Sequence, residues 1–202
     1  MGTYQNRSRR AHQRELNIIG VDDGSFPTGR TTRKRALLLA VLLRGLRIRG
    51  VRIGTIEVDG NDARTVLESL ISAFSFDLVM LSGISFGGFN IIDISKLTHE
   101  LNKPVIVISG DRPDNRSVRK ALKDHFVDWE TRWRSVRSAG KLYECKPLKD
   151  EPKLYFEVKG ATTNVARSVI VQTSVISRLP EPIRVARIMA KGLSSLTGSI
   201  RS

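Results

Sequence analysis

Leu16-Asn17-Ile18-Ile19-Gly20-Val21, closed by Asp22-Asp23-Gly24, decides the fold. A short apolar run ending at an Asp-Gly turn reads as a buried strand. Two adjacent acids at a strand end are poor strand formers and point to another role. Working outward, Ser25 to Arg35 is a Gly/Pro/Thr-rich loop, and Ala36 to Leu43 is apolar throughout and reads as a second strand. Gly45 and Gly50 should break the chain before a third strand, Val51 to Val58, that ends at Asp59-Gly60. Asn61 or Asp62 then caps a helix carrying Val66, Leu67, Leu70, Ile71 and Phe74 at helical spacing.

From there strands and helices alternate. Leu78 to Leu81 is a strand, Ser82 to Asn90 a glycine-rich loop, Ile91 to Leu101 a helix, Val105 to Ile108 a strand and Arg116 to Phe126 an amphipathic helix. Lys141 to Cys145 and Leu154 to Val158 are strand-like, Thr163 to Ser174 is helical, and Leu179-Pro180-Glu181-Pro182 precedes a last helix, Ile183 to Leu193. This order predicts an α/β fold: a mixed sheet, antiparallel over its first three strands and then parallel, flanked by helices. The expected organisation is a flexible basic arm over residues 1–15, one domain over 16–193 and a flexible tail over 194–202.

Thirty-four Lys and Arg against 20 Asp and Glu leave a net charge of +14. Such an excess is the footprint of a nucleic-acid partner, because each neutralised phosphate releases counterions. Clusters lie before residue 35, at Arg44, Arg47, Arg49 and Arg52, and from Arg112 to Arg137. The longest apolar run, Ala36 to Leu43, is too short to span a membrane. Cys145 is the sole cysteine, which excludes an internal disulfide and fits a reducing, cytoplasmic location. With three scattered histidines it cannot form a Cys/His zinc site.

Four constellations could carry chemistry. Asp22 and Asp23 end the first strand, Asp59 ends the third, and Asp62 opens the following helix. Converging strand ends would gather these acids, and their repulsion would then call for Mg²⁺ or Mn²⁺, held by Asp22, Asp59 and Asp62, as the activator of a hydrolytic water. For Asp59 and Asp62, turn and cap roles are the competing reading. Gly24-Ser25-Phe26-Pro27-Thr28-Gly29-Arg30-Thr31 has the spacing of a phosphate loop with arginine in place of lysine, but no acid follows Leu81. The loop Ser82, Gly83, Ser85, Phe86, Phe89, Asn90 offers neutral hydrogen-bonding groups beside aromatic faces, which a displaced base needs; burial of both phenylalanines in the core is the alternative. Trp129 and Trp133, one helical turn apart among arginines, suit stacking on single strands or a core-facing pair.

The motifs Ile19-Gly20-Val21-Asp22-Asp23-Gly24-Ser25-Phe26, Val58-Asp59-Gly60-Asn61-Asp62-Ala63, Ser82 to Ile94 and Pro180-Glu181-Pro182-Ile183-Arg184-Val185-Ala186-Arg187 stand in an order that resembles the archaeal endonuclease dU proteins. That family is in turn similar to endonuclease V. The resemblance spans residues 16–193 and implies a ribonuclease-H-like fold. It also implies a metal-dependent endonuclease acting on DNA, rather than RNA, that contains deaminated bases of the uracil type. Asp22 matches the first-strand catalytic aspartate, with Asp23, Asp59 and Asp62 as the other catalytic candidates. Arg184, Arg187 and the loop residues fall where nucleic acid would lie. Ser82 replaces an aspartate and Arg187 a histidine or aspartate, so the alternative is a nucleic-acid-binding protein on the same fold without catalysis.

Overall fold

The computed structural model describes residues 15–26 and 34–199, with side chains to residue 196. β1 (Asn17–Asp23) lies third in a seven-stranded sheet. It pairs antiparallel with β2 (Arg35–Arg44), which pairs antiparallel with β3 (Arg47–Glu57). On its other side β1 runs parallel to β4 (Leu78–Leu81), and β4 runs parallel to the strand Val105–Ser109. The mixed sheet expected from the sequence is therefore present. Its far edge then turns antiparallel again, a feature the sequence pattern did not predict.

Between β4 and that strand lie β5 (Ser85–Phe86), β6 (Asn90–Ile91) and a helix, so Val105–Ser109 is β7. β7 pairs antiparallel with β9 (Leu154–Lys159), which carries the edge strand β8 (Tyr143–Cys145). Helices α1 (Ala63–Ile71) and α2 (Ile94–Leu101) cover one face, α5 (Thr163–Thr173) and α6 (Glu181–Ser199) the other, and α3 (Asn115–His125) packs on α4 (Trp129–Ser138). The period-2 alternation of strands makes both cores. Ile19 and Val21 face Leu67, Ile71 and Leu97, while Ile18 and Met80 face Ala166, Ile170 and Ile183.

Several boundaries differ from the expectation. β3 starts at Arg47 and passes through Gly50, because the turn at Gly45 sets Arg47 opposite Arg44. Gly50 breaks nothing there: a Cβ would stand 2.7 Å from the Phe74 ring that packs on it. The loop after β4 folds on itself as the β5–β6 hairpin. α2 begins at Ile94 rather than Ile91, since the Asp93 carboxylate accepts the Ser95 and Lys96 N–H groups and caps it. α6 runs from Glu181 to Ser199, with Pro182 inside its first turn, where the missing N–H costs nothing. The arm before Glu15 and residues 27–31 of the phosphate-loop spacing lie outside the described residues.

α6 runs alongside β1 at close range. A Cβ on Gly20 would collide with the Pro182 carbonyl, and Ser25 N–H donates to Ser194 Oγ at 3.0 Å. That contact brings Arg187 over the end of β1.

Candidate nucleic-acid site

The carboxyl ends of β1 and β4 lie side by side, because parallel pairing sets Val21 against Leu81. Crevices at such ends are where α/β sheets hold ligands. Asp22 is 5% exposed there. Its Oδ1 accepts from Ser82 Oγ at 2.7 Å and from the Asp23 N–H at 2.9 Å, and its Oδ2 accepts from Arg187 Nε at 2.8 Å. Asp22, Ser82 and Arg187, 165 residues apart at the extremes, thus form one knot around the buried Asp22 carboxylate.

The neighbouring Asp23, whose carboxyl also interacts with that of Asp22, accepts the Gly87 N–H at 2.6 Å. Burial, and then the neighbouring Asp22 charge, push its carboxyl above the usual range, against the pull of that N–H. Asp59 holds the same turn from the far side: its N–H donates to the Gly87 carbonyl, and its Oδ1 accepts from Phe89 N–H, both at 2.8 Å. Asp23 and Asp59 therefore clamp the tip of the hairpin between them.

Asp62 joins neither group. Its Oδ1 accepts from Asn90 Nδ2 at 2.6 Å and from the Glu57 N–H at 3.1 Å, and its Oδ2 lies 3.8 Å from Arg35. It stands at the N-cap of α1 but makes no side-chain cap bond. Buried Asn90 supplies one instead, accepting the Ala63 N–H at 3.0 Å. Among the described residues no three His, Cys, Asp or Glu side chains gather where they could hold a metal ion. The expected Asp22–Asp59–Asp62 set for Mg²⁺ or Mn²⁺ is therefore not assembled. Asp22 has its two oxygens engaged, and the positions that should add anionic or neutral ligands carry a hydroxyl and a guanidinium. Of the two neighbouring acids, Asp22 is paired with a cation and Asp23 is tied to the Gly87 N–H, and such a donor set does not fit a divalent ion.

The loop residues divide. Phe86 and Asn90 are buried and structural, Phe86 in the core under α1. Gly83, Ser85 and Phe89 line a cavity of about 820 Å³, a volume within the range of small-molecule sites. Trp133 and Val136 of α4 and the exposed Arg112 and Arg137 line it as well. Arg184 is tied by two bonds, 2.9 and 2.7 Å, to buried Glu181 of its own helix, whereas Arg187 keeps 37% of its side chain exposed.

Two residues escaped the sequence reading. On α4 the buried side chain is Arg132, 7% exposed, and the two tryptophans are only partly covered. This departs from a core-facing tryptophan pair. Arg132 donates to the Phe89 carbonyl at 2.6 Å, the Gly60 carbonyl at 3.0 Å and Asp128 at 2.8 Å, with its guanidinium 4.3 Å over the Phe126 ring. It ties the hairpin to the end of β3. The tryptophans sit beneath cations, Trp129 under Lys123 and Trp133 under Arg119. The second residue is Glu157 on β9, which lines the cavity with Oε2 buried and without a hydrogen-bond partner. Burial pushes its carboxyl up to about 7. The one available signal was an acid inside the otherwise uncharged run Leu154 to Val158.

No helix among the described residues is long and apolar enough to cross a membrane. A protein of unknown function from Archaeoglobus fulgidus has the same fold, with a TM-score of 0.76 at 23% identity over 89% of this chain and 98% of that one. Endonuclease V from Bacillus subtilis follows, with a TM-score of 0.61 at 10% identity over 91% and 83%. Endonuclease V of Ciona intestinalis, solved with DNA containing an inosine, gives 0.55 at 12% over 90% and 87%. These place the chain on the ribonuclease-H-like nuclease fold. In sequence, the UPF0215 proteins of Pyrococcus furiosus and Methanopyrus kandleri are 35% and 36% identical, over 90% and 89% of this chain and 93% and 92% of theirs. The sequence profile of endonuclease dU matches residues 14–194, from before β1 to the Arg187 helix, and the chain belongs to the endonuclease dU family.

Proposed function

We propose that this protein recognises DNA carrying a deaminated base, seating the displaced base in the cavity beside the β5–β6 hairpin. The single observation that carries the reading is that cavity: about 820 Å³, walled by Phe89 and Trp133, floored with polar groups and flanked by exposed Arg112 and Arg137. A flipped base needs stacking walls and edge partners, and its strand needs cations for the phosphates. Gly83 and Ser85 face the base, while Arg187, half-free on Asp22, is placed to exchange its carboxylate for a phosphate as the strand enters. Family membership and the inosine-containing DNA bound by the Ciona endonuclease V favour DNA with a deaminated base as the partner. A reducing cytoplasm remains the proposed location, since the lone Cys145 is buried and unpaired.

In this reading binding does not depend on a metal, because Asp22 is already neutralised from within. A second reading, metal-dependent cleavage of the strand, is favoured by the family and by the place of Asp22 at the end of β1. It requires Arg187 to leave Asp22. Binding and nicking of uracil-containing DNA, with and without Mg²⁺ or Mn²⁺, separate the two. Salt-dependent binding without nicking supports the first. Nicking that requires the cation and is lost in Asp22→Ala establishes the second. Absence of salt-dependent binding removes both.

A further inference from the structure

We infer that Glu157 determines which base the cavity accepts, its unpartnered Oε2 placed to hydrogen-bond the carbonyl that deamination leaves where an amino group had been. The inference rests on the cavity's being a base pocket and adds to that reading the residue and the chemistry of choice.

The argument begins with an unsatisfied atom. A buried polar oxygen without a partner is costly, and native structures keep few of them. Among the described residues two side-chain atoms are so placed, Thr98 Oγ1 and Glu157 Oε2, and Glu157 belongs to the cavity wall. Glu157 stands in register with Val107 of β7, which lines the same cavity. Its neighbours Phe156 and Leu154 point into the core on the other face of the sheet. Strand alternation therefore fixes the carboxyl toward the cavity and away from that core.

Among the described residues no charged side chain pairs with it. Asp111 and Arg112, from the segment after β7, and Arg137, from α4, line the cavity, yet none pairs with Glu157, and Asp111 lies 3.7 Å from Arg178 instead. β7 presents no titratable side chain. Glu144 of the neighbouring β8 is bound to Lys153 at 2.6 Å. α2 meets the end of β9 through uncharged Thr98, and Lys159, on the same face of β9 as Glu157, lies with its Nζ beside Gly140 of the cavity wall. Burial thus governs the carboxyl, and it keeps its proton up to about pH 7. Its own backbone N–H favours the charged form and engages the carboxyl as acceptor, which leaves the proton to serve as an outward donor.

A protonated carboxyl donates to a carbonyl oxygen. Cytosine and adenine present an amino donor at that place, whereas uracil and hypoxanthine present an acceptor. Donor against donor leaves two buried polar groups unpaired and rejects the parent base. Once ionised, the carboxylate accepts from an amino group and repels the carbonyl, so the preference should fade as pH rises through the titration of Glu157.

The test uses the full chain and labelled single-stranded DNA with one uracil or one cytosine at the same place, so that unpairing energy does not contribute. Binding is followed by fluorescence anisotropy at about pH 5.5 and about pH 8.5, on either side of that titration. The wild type should hold uracil about tenfold more tightly at the lower pH and lose that margin at the higher one. Glu157→Gln, whose amide keeps a donor at every pH, should abolish the pH dependence while binding both DNAs. Glu157→Ala should show no preference at either pH. A uracil preference that is unchanged by pH, or that survives in Glu157→Ala, overturns the inference. Equal, salt-sensitive binding of both DNAs by every variant overturns it together with the deaminated-base reading, which a preference surviving in Glu157→Ala would leave standing, and no salt-sensitive binding at all defeats both.

Discussion

Replacing Arg187 with alanine leaves the Asp22 carboxylate buried without its cation. Asp22 is 5% exposed, and the Nε to Oδ2 distance is 2.8 Å, so the pair is close and its acid is dry. Removing one partner of a fully buried pair costs about 3–5 kcal/mol. Here two partners remain, Ser82 Oγ and the Asp23 N–H, and the Arg187 side chain is 37% exposed, which lets water screen the pair. The expected loss is therefore about 1–2 kcal/mol, or a Tm lower by about 2–8 °C for a chain of this size. The decisive assay is a double-mutant cycle of Asp22→Asn and Arg187→Ala by urea unfolding, followed by tryptophan fluorescence near neutral pH and at low salt. A coupling of about 1 kcal/mol or more is expected. Effects that add to within about 0.3 kcal/mol would refute the claim that Arg187 neutralises Asp22, and with it the account of why a divalent ion does not fit.

Glu157→Gln should stabilise the protein at alkaline pH. The folded carboxyl titrates at about 7 against 4.5 in the unfolded chain, so above pH 4.5 the unfolded state releases its proton first and the wild type loses stability until about pH 7. A gain of about 1–3 kcal/mol near pH 8 that vanishes near pH 4 is expected from unfolding curves at the two pH values; an equal effect at both would contradict it. Arg132→Ala should cost about 3 kcal/mol, because it strips donors from the Phe89 and Gly60 carbonyls and leaves Asp128 without its cation; a Tm unchanged from wild type would show that the hairpin is held by other contacts. In Ser82→Asp/Arg187→His, millimolar Mg²⁺ or Mn²⁺ should raise the Tm, and in the wild type it should not, since the substitutions add two potential ligands beside Asp22. The same response in both proteins would sink the donor-set argument.

Local pattern was enough for the central sheet. Ile18 to Val21, Leu38 to Leu43, Leu78 to Leu81 and Val105 to Ile108 are apolar on both faces, and such runs have nowhere to go but the middle of a sheet. The extent of β3 was less legible, because Gly50 reads as a break until the Phe74 ring is seen to need the space. For α4 the sequence left two readings of the tryptophans open, and neither named Arg132. A tryptophan pair promises more buried apolar area than an arginine, but three oxygen acceptors converge on Arg132 from Gly60, Phe89 and Asp128, segments that sequence spacing does not bring together.

By itself the sequence determined the parts whose partners are near in the chain: the order of the main strands and helices, though not the β5–β6 hairpin, the polyanion-seeking charge of +14 and the Asp22 position at the end of β1. The tertiary structure decided what those acids do. Asp22 meets Arg187 across 165 residues, Asp59 and Asp23 meet at one hairpin, Asp62 is taken by Asn90, and Glu157 is left with one oxygen dry in a cavity. A carboxylate's chemistry is set by the charges and donors within a few ångströms of it, and here almost all of these come from distant parts of the chain.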